Sequence, residues 1–207
     1  MSYEILIPFF GAALLLGIIP GPDNIFVLMQ SVMHGRKAGL LVVLGLCTGL
    51  LVHSSFVALG VTAVFQSSSW AFNGLKAFGC GYLLYLAWQS FQSPASKIEG
   101  DAGPVLTHRQ LYVRGIVMNV SNPKVAIFFL AFLPQFTQPQ LGGIAWQLLL
   151  LGGIFIVATL LVFSFIALAS GTLAKGLKES LGAQNILHKT AGVIFLLLAL
   201  KLVFTSL

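Results

Sequence analysis

Long apolar runs fill most of this chain, and short polar stretches divide them into six blocks. The first run, residues 5–33, would make a helix of roughly 43 Å if it were continuous, against a hydrocarbon core of about 30 Å. It cannot be continuous. Pro20 and Pro22 donate no N–H, so the carbonyls of Leu16 and Ile18 lose their helical partners, and Gly21 lets the backbone turn between them. Further runs cover residues 38–65, 70–91, 113–134, 144–173 and 186–204, and the fourth run is interrupted too, by Asn119, Ser121, Asn122, Pro123 and Lys124. The pattern predicts an all-α membrane protein of six transmembrane helices, with spans 1 and 4 broken by proline.

Composition sharpens this. Of 207 residues, 57% are hydrophobic and 8% charged, and the mean hydropathy is +0.97, outside the range of a soluble globular domain. The expectation is one transporter-like domain over 1–207, with repeat one at 1–91, a polar loop at 92–112 and repeat two at 113–207. The net charge of +6 comes from basic residues placed singly or in pairs between apolar runs, which is the look of cytoplasmic loops and not of a nucleic-acid surface. Cys47 and Cys80 lie in apolar runs without CxxC spacing, so no structural disulfide is expected, and no metal or cofactor motif stands out. Residues 5–19 resemble the apolar part of a signal peptide. However, Glu4 precedes them without any Lys or Arg, no small-residue cleavage site follows, and the run reads as the first span.

Arg36 and Lys37, then Lys97, Arg109 and Arg114, then Lys175, Lys178 and Lys189 occupy the first, third and fifth loops, whereas the second and fourth loops carry no basic residue. Positive-inside bias places the odd loops in the cytoplasm and both termini outside. Three spans per half give the two halves opposite polarity, so inverted repeats are expected. Aligning the two breaks sets Pro22 on Pro123 and Asp23 on Lys124, each about 15 to 20 Å from the cytoplasmic edge by helical rise, near the midplane. Gly45 and Gly49, spaced GxxxG, would permit close helix contact.

A broken span offers a partially negative end, the freed carbonyls, and a partially positive one, the N–H groups after Pro22. A zwitterion fits such a pair. An ammonium would seek the carbonyls and Asp23, and a carboxylate would seek half-helix N–H groups or Lys124. The bland alternative makes Asp23 an N-cap of its own half-helix, with Asn24 adding local hydrogen bonds. Lys124 resists such a reading, because a cation in the first turn of a half-helix opposes its dipole and wants an anionic partner. The candidate binding residues are Pro20, Gly21, Pro22, Asp23, Asn24, Asn122, Pro123 and Lys124, with Lys76 and Tyr82 as secondary candidates. Lys76 could equally snorkel outward, and Lys201 is expected to do so. His53 could relay protons or bond a neighbouring helix. Asp23 is the candidate for proton coupling, since a buried carboxyl favours the neutral form and a nearby ammonium the ionised one.

At these residues a family resemblance appears. Pro20-Gly21-Pro22-Asp23-Asn24, Gly35-Arg36-Lys37-Ala38-Gly39, the segment 79–86 with Tyr82-Leu83-Leu84, and Asn122-Pro123-Lys124 followed by Phe132-Leu133-Pro134-Gln135-Phe136 together resemble the lysine-exporter and homoserine/threonine-efflux family. The resemblance covers nearly the whole chain, with Cys80-Gly81 as a departure where many relatives look like Ala-Ala, which would alter close packing near Tyr82. It implies a bacterial inner-membrane exporter of amino acids or related small metabolites, driven by the proton gradient and not an enzyme. Partners on that reading are the amino acid, protons and the lipid bilayer, with the oligomeric state open and a homodimer among the options. The competing class is a membrane thiol-disulfide electron carrier, in which Cys47 and Cys80 would exchange electrons. No nucleophile triad or long soluble surface supports an intramembrane enzyme or a scaffold.

Overall fold

The computed structural model describes residues 1–19, 21–67, 69–93, 105–172 and 181–204, and these are helical with no strand among them. Pro20, Ser68, Lys97, Lys175, Lys178 and Glu179 fall outside the described residues. The first apolar run is two helices, α1 (Tyr3–Ile18) and α2 (Pro22–His34), bent by 62°. Pro22 takes the first position of α2, where its missing N–H costs nothing, and Gly35, at φ 85°, ends that helix. α3 (Arg36–Ser67) and α4 (Ser69–Gln92) complete the first half.

The second half opens with α5 (His108–Val120), then α6 (Pro123–Ile127), which continues through a π turn over Phe128–Phe132 and a tight turn over Leu133–Phe136. The angle between α5 and this second segment is 50°. α5 starts five residues before the expected span edge because Thr107 and Gln110 form a reciprocal cap: Gln110 N–H donates to Thr107 Oγ1 at 3.3 Å, and Thr107 N–H to Gln110 Oε1 at 2.8 Å. Hydropathy marks only the part of a helix in hydrocarbon, so polar first turns like this one, or Arg36-Lys37 at the start of α3, read as loop. α7 (Ile144–Leu168) and α8 (Leu181–Phe204) follow. Before α7 the chain turns at Gly142 and Gly143, both at positive φ, and Gln147 reaches back to bond the backbone of Gln138 and Gly142.

Among the described residues, α3, α7 and α8 contain stretches long and apolar enough to cross a membrane, and the number of candidate spans rises to five if each bent pair is one span. α4 is long enough at 24 residues, but Asn73, Lys76 and Gln89 lower its apolarity. Large apolar side chains point outward along the bundle, among them Phe56, Leu59, Trp146, Phe165 and Leu197. In water such a surface would aggregate; in hydrocarbon it is solvated. The chain is a multi-pass membrane protein.

Packing follows small residues. A Cβ at Gly45 would overlap the Tyr112 carbonyl of α5, one at Gly115 would overlap the Val42 carbonyl of α3, and one at Gly49 would come within 2.7 Å of Asn119 Cβ. The Gly45/Gly49 spacing therefore does bring α3 against another helix, with backbone touching backbone. At Gly81, by contrast, a Cβ would meet nothing within 4 Å, so the departure at this position creates no close packing. Two buried clusters result. One joins α1, the second half of α3, α4, α6 with its continuation, α7 and α8 around Phe9, Phe128, Phe129, Phe132 and Phe155; the other joins α2, the first half of α3, α5 and α7 around Val27, Val42, Leu46 and Leu111. The two helix breaks lie where these clusters meet.

Candidate functional site

The two breaks are built alike. α2 is capped by Gly21, with Pro22 in its first position and Asp23 in its second; α6 is capped by Asn122, with Pro123 first and Lys124 second. Opposite charges thus occupy the same position of the two half-helices, as the alignment of the breaks anticipated. The cap does not come from Asp23. Gly21 caps α2 without a side-chain bond, whereas Asn122 Oδ1 accepts from the Lys124 N–H at 3.0 Å. Asp23 sits two positions past the cap residue, too far into its helix to cap it, so its carboxylate is left to reach across to the other break.

That reach is the central contact. Asn122 Nδ2 donates to Asp23 Oδ2 at 2.7 Å, joining residues 99 apart in the chain, with Asp23 5% and Asn122 6% exposed. The second break returns a bond of its own: Lys124 Nζ donates to the Ile19 carbonyl at 3.3 Å. This resolves the unfavourable placement of Lys124. The ammonium opposes the dipole of its own half-helix but rests on the partially negative C-terminal end of α1. Asn24 Nδ2 donates to the Gly17 carbonyl at 2.7 Å and so ties α2 back to α1 across the bend.

The carbonyls that receive side-chain donors are therefore Gly17 and Ile19, each one residue beyond those expected from the prolines, Leu16 and Ile18. Proline removes donors only at its own two positions. The 62° bend also carries away the N–H groups of Gly21 and Asp23, which a straight helix would have aimed at Gly17 and Ile19.

Asp23 and Lys124 line one small cavity together with Leu16, Gly17, Leu46, Asn119, Val125, Phe155, Thr159 and Phe163. Its volume is about 20 Å³, room for roughly one water. The carboxylate bonds Asn122 and the ammonium bonds Ile19, so the two charges share the cavity with neither closing on the other. Three buried oxygens here have no hydrogen-bond partner: Asp23 Oδ1, Asn24 Oδ1 and Asn119 Oδ1.

The sequence pattern does not mark Asn119 or Thr159 as binding residues. Asn119 shares the polar stretch of the second break, a usable signal; Thr159 stands alone in the apolar run of α7 and gives none.

Of the other candidates, neither Lys76 nor Tyr82 lines this cavity. Lys76 donates to the Val203 carbonyl of α8 at 3.2 Å, and Tyr82 stacks at 6.0 Å from Tyr85, which is followed by the exposed Trp88. His53 Nε2 bonds the Asn119 carbonyl at 3.1 Å and its ring lies 5.6 Å from Phe129, so it links α3 to the last turn of α5. Lys201 Nζ sits 4.1 Å above the Phe136 ring instead of simply extending outward. Cys47 and Cys80 are free thiols that pack in different clusters, an arrangement that gives an electron-exchanging pair no support. Among the described residues, no group of three His, Cys, Asp or Glu side chains could hold a metal ion.

Known proteins are similar to this chain along most of its length. The chain is 29% identical over 207 residues to an uncharacterized membrane protein, YrhP, of Bacillus subtilis (strain 168), covering 95% of this chain and 97% of that protein. It is 30% identical over 200 residues to the homoserine/homoserine lactone efflux protein of Salmonella typhimurium, with 95% of each covered. It is 26% identical over 189 residues to the leucine efflux protein of Enterobacter sp. (strain 638), covering 89% of this chain and 88% of the relative. No solved structure matches. The family model for the LysE type translocator matches residues 14–206. With two proline-broken helices meeting at Asp23 and Lys124 and a family match over almost its entire length, this chain belongs to the LysE type translocators.

Proposed function

We propose that this protein is a secondary transporter that exports amino acids or related small zwitterionic metabolites across the bacterial inner membrane in exchange for protons. The observation that carries this reading is the meeting of Asp23 and Lys124 in one small cavity between two helix breaks. A carboxylate and an ammonium held apart in a membrane core suit a ligand that brings one charge of each sign. The names of relatives that export homoserine and leucine agree with that class of cargo.

On this reading α4, about 36 Å long by helical rise, is a sixth span, and the single domain is two inverted repeats over 1–91 and 113–207. The packing supports it: exchanging the halves carries the α1–α7 contact onto α5–α3, while α3–α7 and α4–α8 map onto themselves. Both termini face outward and the loop over 92–112 faces the cytoplasm, from the charge distribution. The binding set is Pro20, Gly21, Pro22, Asp23, Asn24, Asn122, Pro123 and Lys124, with Asp23 coupling protons to substrate. The cavity is too small for an amino acid, so substrate enters when the elements lining it part, first toward one side and then the other.

The test is export from cells and from vesicles. Cells producing the protein, challenged with a panel of amino acids and analogues, should tolerate its substrate better than cells producing Lys124→Ala at equal abundance. Equal tolerance in the two strains for every compound would remove the site.

A further inference from the structure

In a continuous helix the N–H of residue 123 would donate to the Asn119 carbonyl, and Pro123 has none to give. That carbonyl is served all the same. The Asn122 N–H donates to it at 3.0 Å, tightening the end of α5, and a second donor arrives from the first half of the chain: His53 of α3 meets it with Nε2 at 3.1 Å. A carbonyl only accepts, so Nε2 is the nitrogen that carries a proton in this bond.

The packing of α3 on α5 puts His53 there. Gly45, Gly49 and His53 are spaced by four and share one face of α3. At the two glycines the missing side chain lets α5 come close, since a Cβ at Gly45 would overlap the Tyr112 carbonyl and one at Gly49 would lie 2.7 Å from Asn119 Cβ. One turn further, where α5 ends, an imidazole stands in place of a third glycine. Its Nε2 holds the carbonyl before the break, and its ring lies 5.6 Å from that of Phe129, after the break.

Asp23 is two links away. Asn122 gives its backbone N–H to the Asn119 carbonyl and its Nδ2 to Asp23 Oδ2, the latter at 2.7 Å. At the first break, by contrast, the carbonyls of Gly17 and Ile19 accept from Asn24 and Lys124, which belong to the site itself. We propose that His53 is a positioning residue of the transport site: its Nε2–H stands in for the N–H that Pro123 lacks, fixes the turn from Asn119 to Asn122, and so holds Asn122 against Asp23. The bond sets geometry and passes no proton, because a backbone carbonyl does not take one over.

This role rests on the export reading and can fail separately from it. The experiment uses the full chain in liposomes and whichever of leucine, threonine, homoserine, lysine and arginine the wild type moves fastest. It measures exchange of labelled for unlabelled substrate and accumulation driven by a pH gradient. His53→Gln keeps an N–H donor but has no ring and does not titrate, and it should match the wild type to within about twofold in both measurements. His53→Phe keeps the ring against Phe129 and loses the donor. It should lower exchange and accumulation together, per folded molecule, by about fivefold or more, the order of one neutral hydrogen bond. Loss of either activity in His53→Gln overturns the inference and gives the role to the ring or to proton transfer. Wild-type rates per folded molecule in His53→Phe overturn it as well, whatever that variant's unfolding temperature. Should His53→Phe not insert, His53→Leu takes its place, and failure of both to insert shows a bond that serves folding alone, which also overturns it. A wild type that moves none of the five amino acids overturns the export reading along with this role.

Discussion

Asn122 Nδ2 lies 2.7 Å from Asp23 Oδ2, and this one hydrogen bond joins a helix break in the first half of the chain to its counterpart in the second. The same side chain also caps α6 through its oxygen. Asn122→Ala removes both at once: a lost cap costs about 1 kcal/mol, and a newly unsatisfied carboxylate oxygen about 1–3 kcal/mol more. A lower unfolding temperature in detergent and loss of transport are both expected. Asn122→Ser, which can still cap, should recover part of the stability and none of the coupling between the breaks. Two variants of equal stability would show that the cap is not what the side chain contributes.

Lys124→Ala is expected to reduce transport at least tenfold with a smaller effect on stability, because the ammonium's partner is one backbone carbonyl that water can reach when the cavity opens. Lys124→Arg should fail in part, since a planar fork does not fit where a compact ammonium does. Gly21 bears on the same atom: a Cβ there would stand 3.3 Å from Lys124 Nζ, so Gly21→Ala should weaken substrate binding without unfolding the protein. Initial uptake rates at matched abundance give the comparison.

Asp23→Asn separates coupling from scaffolding. Asparagine can still accept the bond from Asn122, and Asp23 caps no helix, so the variant should insert and fold as the wild type does. It cannot carry a proton on and off. Vesicles with an imposed pH gradient should show lost accumulation but retained exchange of labelled for unlabelled substrate; full gradient-driven accumulation would end the coupling role.

The crossing of α3 and α5 should tolerate no side chain. Gly115→Val would drive its Cβ into the Val42 carbonyl, and overpacking of this kind costs about 1–3 kcal/mol or more. Its yield in membranes should fall sharply. Gly81→Ala, whose Cβ meets open space, should match the wild type.

Topology can be read with a Cys47→Ser, Cys80→Ser background, which should itself retain transport. A cysteine at exposed Gln140 should react with an impermeant thiol reagent from outside the cell, and one at exposed Arg109 only from the cytoplasmic side. The reverse pattern would invert the orientation.

How much of this was legible beforehand depends on the kind of signal. Pro22, Pro123 and the charges beside them are covalent facts with local consequences, so the two breaks, and the matched positions of Asp23 and Lys124, follow from the chain itself. The apolar blocks likewise gave the helices, to within the polar first turns that hydropathy does not register. What faces what was not legible. In water, a stripe of apolar residues marks the buried face of a helix; in a bilayer both the lipid-facing and the protein-facing sides are apolar, and the period carries little about rotation. The pattern therefore does not foretell that Lys76 bonds the Val203 carbonyl of α8, nor does it separate Thr159, which lines the same cavity as Asp23, from its neighbours. Asn122 as the partner of Asp23, and Ile19 as the rest for Lys124, depend on two bends bringing distant segments together. The chain determines where its helices break; only the packing of one broken span against the other decides which polar atoms are satisfied and which are left for a ligand.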